Sequence, residues 1–194
     1  MKRLLDLVLS SIGILFLLPL GLILAILVVV GSKGPVFYKQ KRVGFGGKDF
    51  GLLKFRSMKT GSDKKGLLTV GNSDSRITKT GGFLRKYKLD ELPQLINVLF
   101  GDMSLVGPRP EVRKYVDMYS AEQRKVLSVR PGITDYASIE YIDEDAVLGA
   151  SENAEQTYIN TIMPAKLKLN LKYVKEQSTW VDIKLIFATI KKIL

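Results

Sequence analysis

The chain has 194 residues, enough for one compact domain and an anchor, and its 30 Lys and Arg against 19 Asp and Glu give a formal net charge of +11. That excess favours polyanionic partners such as phosphates, anionic lipid headgroups or nucleic acid. There is no Cys and no His, which excludes disulfides, thiolate nucleophiles, thiolate or imidazole metal sites and the commonest general base, so any metal is held by oxygen, as suits Mg²⁺ or Mn²⁺, and any covalent nucleophile is Asp, Glu, Ser, Thr, Tyr or Lys.

Residues 7–30 carry no charge, and at ~1.5 Å rise per residue such a helix is long enough to cross a ~30 Å hydrocarbon layer. A cleaved signal peptide competes, since Lys2 and Arg3 form a basic start, but the run exceeds the usual apolar region of a signal and has no clean small-x-small site. Pro19 near the middle removes a helix hydrogen bond and predicts a kink, with Gly13 and Gly21 loosening the helix further. Each arm about Pro19 is then roughly 18 Å long, too short to cross alone but long enough to dip in and return. Lys2 and Arg3 before the segment and Lys33, Lys39, Lys41 and Arg42 after it favour that return, because only a hairpin leaves both groups on one side. A Pro-kinked spanning helix is the alternative, and periodicity does not choose between the two.

Val36-Phe37-Tyr38 and Phe50-Gly51-Leu52-Leu53-Lys54-Phe55 flank the glycine-rich Gly44-Phe45-Gly46-Gly47 and predict a β-hairpin. The glycines do not form a phosphate cradle, for the G-x-x-x-x-G-K-[ST] pattern is missing. Residues 61–75 are polar and predict a mobile loop. A helix is predicted after Asp90, with Leu92, Leu95, Ile96 and Leu99 at helical spacing, Pro93 in the first turn and Gly101 as the stop. Asn153 and Gln156 suggest a capping box for a helix to about Met163, and Pro164 opens another through Tyr173. The alternation over residues 167–172 fits a strand equally well. Trp180, Ile183, Phe187, Ile190 and Leu194 line one face of a last helix with Lys184 and Lys191 beside them, a pattern that serves either a headgroup layer or core packing.

The chemistry is concentrated in Arg85-Lys86-Tyr87-Lys88-Leu89-Asp90-Glu91, where paired carboxylates follow a basic stretch at a predicted helix start. Backbone N–H groups and cations there attract phosphate, while one carboxylate holds a metal and the other attacks phosphorus. The plainer reading makes Asp90 an N-cap and Glu91 a first-turn residue that complements the dipole. Further on, Pro108 and Pro110 fix the backbone around Arg109, which presents its guanidinium for bidentate phosphate binding with little ordering cost. Arg130-Pro131 repeats the device, and the basic strand Lys54-Phe55-Arg56 adds cations.

Taken in order, Lys54-Phe55-Arg56-Ser57-Met58, Leu89-Asp90-Glu91-Leu92-Pro93-Gln94-Leu95, residues 101–110 and Arg130-Pro131-Gly132-Ile133-Thr134 resemble the bacterial sugar transferase family, the small monotopic phosphoglycosyl transferases. The resemblance covers essentially the whole chain. It implies an α+β, mainly helical fold: a re-entrant membrane helix-hairpin over 1–32 breaking at Pro19, then a catalytic domain over 33–194 with a short β-hairpin and amphipathic interfacial helices. That domain would rest on the cytoplasmic face of the bacterial inner membrane. The resemblance further implies that Asp90 attacks the β-phosphorus of a UDP-sugar, expels UMP, and passes the phosphosugar to polyprenyl phosphate. Glu91 would hold Mg²⁺, and Arg85 and Arg109, with Lys54, Arg56 and Arg130 as further cations, would bind phosphate groups. No His base is needed, since both attacking groups are anionic at neutral pH.

This chain departs from the family pattern in three places. Leu18 stands before Pro19 where some relatives have Ser, Asp135-Tyr136-Ala137-Ser138 follows Thr134 where many have Gly-Trp-Ala-Gln, and Asn170 stands where Asp is frequent. These leave the sugar, the hairpin and any extra carboxylate role open, as is a homo-oligomer. A basic membrane-attached binding module for anionic lipid or RNA explains the charge but not the rigid Arg109 loop, and its aromatics are not interleaved as nucleic-acid stacking requires. A membrane glycosyltransferase that releases UDP instead of UMP is the other rival.

Overall fold

The computed structural model describes residues 1–62 and 74–193. Most of the loop predicted at 61–75 therefore lies outside the described residues. A single helix, α1 (Lys2–Gly31), runs through Pro19. Around that proline it touches little: Leu15, Phe16, Leu18 and Leu20 are exposed, and a side chain added at Gly21 would meet nothing within 4 Å. Towards its end Leu24 and Val28 are buried against Phe55 and Leu84.

The predicted hairpin is present as β1 (Phe37–Val43) and β2 (Asp49–Phe55), antiparallel from Phe37↔Phe55 to Val43↔Asp49. Its turn needs glycine at Gly46 and Gly47, whose φ values are 64° and 76°. Next comes α2 (Lys79–Lys86), capped by Thr78, whose hydroxyl accepts the Gly81 N–H at 2.9 Å. The predicted helix after Asp90 begins as a tight 3₁₀ turn at Leu89–Glu91, continues as α3 (Gln94–Phe100) and stops at Gly101, φ 93°.

A second small sheet escaped the sequence reading. Strand β3 (Ser104–Val106) pairs in parallel with β4 (Gly132–Thr134), Ser104 opposite Gly132 and Val106 opposite Thr134. At three residues each, the strands are too short for alternation to be seen. Their approach excludes side chains: a Cβ on Gly132 would sit 2.0 Å from the Gly107 nitrogen, and one on Gly107 would sit 2.4 Å from the Arg130 carbonyl oxygen.

Six further α-helices follow among the described residues: α4 (Arg113–Val116), α5 (Tyr136–Glu140), α6 (Glu144–Gly149), α7 (Ala154–Thr157), α8 (Met163–Glu176) and α9 (Thr179–Ile193). The Asn153 side chain caps α7, accepting from the Gln156 N–H at 3.1 Å. Residues 167–172 belong to α8 and not to a strand, and the burial of Leu167, Asn170 and Tyr173 follows the helical period. The largest core cluster gathers Val43, Val112, Tyr115, Val116, Leu148, Tyr158, Ile162 and Leu167. In α9 Asp182 and Leu185 face inward, while Trp180 is 65% and Phe187 68% exposed. Core packing does not account for that aromatic face.

The β3–β4 contact leads to a direct expectation. Gly132→Ala drives a methyl into backbone that has no room to yield, so unfolding by urea should reveal a loss of about 1–3 kcal/mol.

Candidate active site

The left-handed Lys88, φ 54°, turns the chain sharply after α2, and the 3₁₀ turn that follows aims the adjacent Asp90 and Glu91 into different surroundings. Strand β2 brings Lys54 to this turn, and the loop after β3 brings Arg109. The Lys54 ammonium donates to Glu91 Oε1 at 3.0 Å. Arg109 donates through Nη1 to Glu91 Oε2 at 3.0 Å and through Nη2 to Oε1. Both oxygens of Glu91 are thus engaged by cations, in a bidentate fork of the kind only a planar guanidinium makes.

Asp90 has the opposite environment. It is 4% exposed and, among the described residues, its carboxylate has no hydrogen bond or ion pair. Burial therefore pushes its pKa up, with Lys54 opposing and Glu91 reinforcing the shift. For Glu91 burial acts in the same direction, but Arg109 and Lys54 outweigh it and hold the carboxyl well below the usual range. Burial lowers the Lys54 pKa against the attraction of Glu91, while Glu91 raises that of Arg109.

Of the residues picked out by sequence, Lys54, Asp90, Glu91 and Arg109 come together. Arg85 stands at the edge: its guanidinium donates to Asp145 Oδ2 at 2.5 Å, yet its charge still favours the ionised form of Asp90. Arg56 and Arg130 are not brought to the pair. The buried Arg56 donates to the carbonyls of Val28 at 3.1 Å and Ser32 at 2.7 Å, satisfying the end of α1, where a helix leaves its last carbonyls without partners. Arg130 donates to the Gly101 carbonyl at 3.0 Å and lies over the Phe45 ring.

Two contributors were missed by the sequence reading. Asn97, buried in the middle of α3, accepts the Leu53 N–H and donates to the Gly51 carbonyl, both at 2.9 Å, which fixes β2 and hence Lys54 against the helix that follows Glu91. A polar residue inside Leu95-Ile96-Asn97-Val98-Leu99 was the available signal. Asp145, the partner of Arg85, gave none, because it lies sixty residues away on α6. Among the described residues no cluster of three or more acidic side chains gathers in a form that would hold a metal by itself.

The chain matches the family described as bacterial sugar transferase over residues 1–194. It is 40% identical over 196 residues to a UDP-N-acetylgalactosamine-undecaprenyl-phosphate N-acetylgalactosaminephosphotransferase of Aeromonas hydrophila, covering 100% of this chain and 43% of that protein. It is 37% identical over 199 residues to the UDP-glucose:undecaprenyl-phosphate glucose-1-phosphate transferase of Escherichia coli K12, covering 99% and 40%. An uncharacterized sugar transferase of Bacillus subtilis is 40% identical over 197 residues, covering 100% and 87%. The chain thus spans about two fifths of the length of the first two relatives.

The opposed environments of Asp90 and Glu91 predict opposite effects on stability. A raised carboxyl pKa in the fold means that ionised Asp90 opposes folding above that pKa, and the cost disappears below about pH 4, where the unfolded side chain is also protonated. A depressed pKa means that Glu91 stabilises the fold above its ordinary range near 4.5, and that this contribution is lost as pH falls through the depressed value. At pH 7 Asp90→Asn should therefore raise Tm and Glu91→Gln lower it. Calorimetry checks both, and a lowered Tm for Asp90→Asn would contradict the account.

Proposed function

This chain belongs to the bacterial sugar transferase family, and we propose on that premise that it moves a sugar 1-phosphate from a UDP-sugar to undecaprenyl phosphate, releasing UMP. The relatives are named for transfers of this type to undecaprenyl phosphate, from UDP-N-acetylgalactosamine in one case and UDP-glucose in another. The sugar differs between them, so the donor is assigned here only as a UDP-sugar.

One observation carries the reading: adjacent carboxylates of which one is saturated by cations and the other is buried without a partner. The partnerless Asp90 is the nucleophile. One of its oxygens bonds to the β-phosphorus, the bond from that phosphorus to the bridging oxygen of the donor breaks, and UMP leaves with the electron pair. An oxygen of undecaprenyl phosphate then attacks the same phosphorus, the aspartyl bond breaks, and Asp90 is regenerated as a carboxylate. Neither step needs a base to generate the nucleophile, in keeping with a chain that has no His. Arg109 and Lys54 meet the diphosphate, and Glu91 keeps their side chains oriented until it arrives.

The proposed ion is Mg²⁺ or Mn²⁺, which take a small number of carboxylates and complete their shell with phosphate oxygens and water, so that it would enter with the diphosphate as Arg109 and Lys54 turn from Glu91 to the donor. Glu91 would supply the carboxylate oxygen, and a bound ion would neutralise charge developing on the diphosphate.

A membrane surface is the place for this reaction. α1 is long and apolar enough to cross a membrane, and most of its large side chains are exposed. Its ends are nonetheless tied to one body, Lys2 to Asp182 at 2.6 Å and the last turn to Arg56. A helix leaving one end on the far side of a ~30 Å layer would break one of these sets of contacts, which supports a re-entrant arrangement on the cytoplasmic face. The exposed Trp180 and Phe187 of α9, flanked by Lys184 and Lys191, suit the headgroup layer.

With the protein in nanodiscs, UMP release from a panel of UDP-sugars should require undecaprenyl phosphate for repeated turnover. Asp90→Asn should abolish it and Glu91→Gln reduce it by about 10²-fold or more. Donor without acceptor should add a phosphosugar to the peptide that contains Asp90. Full turnover by Asp90→Asn, or UDP in place of UMP, would overturn the mechanism. Tags on either side of α1 should both be inaccessible from outside intact cells, and a periplasmic Met1 would rule out the re-entrant arrangement.

A further inference from the structure

The basic residues at the start of an apolar segment are ordinarily read as signals of orientation. In this fold they are used otherwise. The Lys2 ammonium has three donors and three acceptors around it: the Val106 carbonyl at 2.9 Å, the Tyr173 hydroxyl at 3.0 Å and Asp182 Oδ2 at 2.6 Å. Tyr173 closes the network by donating its one proton to Asp182 Oδ1 at 2.7 Å, its oxygen lying 3.1 Å from the same Val106 carbonyl, and both Tyr173 and Asp182 are buried. Arg3 donates to the Val98 carbonyl at 2.6 Å and the Leu99 carbonyl at 3.0 Å, at the end of α3. One turn on, the buried Asp6 accepts from Ser104 Oγ and from the Leu105 N–H, both at 3.0 Å.

These contacts fall on one stretch of chain. α3 begins just after Asp90 and Glu91, and its far end is held by Arg3. β3 is held by Asp6, and its last carbonyl, held by Lys2, is followed directly by Gly107-Pro108-Arg109. The prolines transmit that position to Arg109 with little slack. The loop is also fastened to β4, Gly107 N–H to the Thr134 carbonyl at 2.9 Å and Gly132 N–H to the Pro108 carbonyl at 3.1 Å. A lysine whose three donors are all spent inside the protein has none left for a lipid headgroup.

We propose that the first two turns of α1 are a positioning clamp for the phosphate-binding machinery, with Lys2 and Asp182 as positioning residues that act through Arg109. The inference rests on the activity assigned above. The anchor then does more than hold the enzyme at the bilayer: its seating sets the place of the guanidinium that meets the diphosphate.

The test removes both charges of the clamp together, because a lone Lys2 substitution strands a buried Asp182 and endangers the fold. Lys2→Met with Asp182→Asn is measured in nanodiscs for membrane retention, UMP release and kcat/KM for the UDP-sugar, alone and in an Arg109→Lys background read by single turnover. The charge-balanced variant should stay folded and membrane-bound yet lose tenfold or more in kcat/KM, since displacements near 1 Å cost about 10² in rate. In the Arg109→Lys background the same change should cost less than about twofold, the non-additivity expected of residues that act through one another. Undiminished kcat/KM, an equal loss in both backgrounds, or loss of the folded variant from the membrane would each overturn the clamp. Absence of UMP from the unsubstituted protein would instead overturn the assigned activity, and the catalytic role of the clamp with it.

Discussion

Glu91 sits between a guanidinium and an ammonium, and that arrangement organises the centre of the molecule. The bidentate fork from Arg109 and the single bond from Lys54 join three chain segments that are distant in sequence: the hairpin strand β2, the tight turn before α3 and the loop after β3. Their mutual attraction outweighs the cost of burying the carboxylate, so Glu91 stays ionised in a largely dehydrated place. Asp90, one residue away, makes no direct contact with a cation among the described residues, and the more distant attraction of Lys54, Arg85 and Arg109 does not offset its burial. The opposite pKa shifts of two adjacent carboxyl groups thus arise from how the cations are shared out, and not from the residues themselves.

The same economy is seen in the supports. Each segment that contributes a group to the cluster is fastened by a polar contact behind it: β2 by Asn97, the end of α3 by Arg3, β3 by Asp6 and the carbonyl before the Arg109 loop by Lys2. Close backbone approach at Gly107 and Gly132 completes the scaffold. Rigid support of this kind is what the proposed phosphosugar transfer would ask of the fold, since positioning and charge supply most of the rate in such reactions.

The helix α1 combines two kinds of surface that soluble helices rarely combine. Its middle is apolar and exposed on nearly every side, while its first turns and its last turn are held by charged groups of the body. Arg56 shows how far composition can mislead. A basic strand beside the Asp90–Glu91 turn invites assignment to a ligand, yet Arg56 is spent on the terminal carbonyls of α1. Arg130 likewise serves the Gly101 carbonyl.

The amino-acid sequence by itself determined the apolar helix, the hairpin with its glycine turn and the helix stopped by Gly101, and it set Asp90 beside Glu91 and Arg109 between two prolines, because each depends on local periodicity, turn stereochemistry or residue type. Only the tertiary structure decided which cations reach the carboxylates, that residues 167–172 are helical, that β3 pairs with β4, and that Lys2, Arg3 and Asp6 grip the body. Those outcomes depend on contacts between residues up to 180 positions apart, such as Lys2 with Asp182. No local pattern encodes such a contact, since a charged side chain looks the same in the chain whether solvent, substrate or a buried carbonyl will receive it.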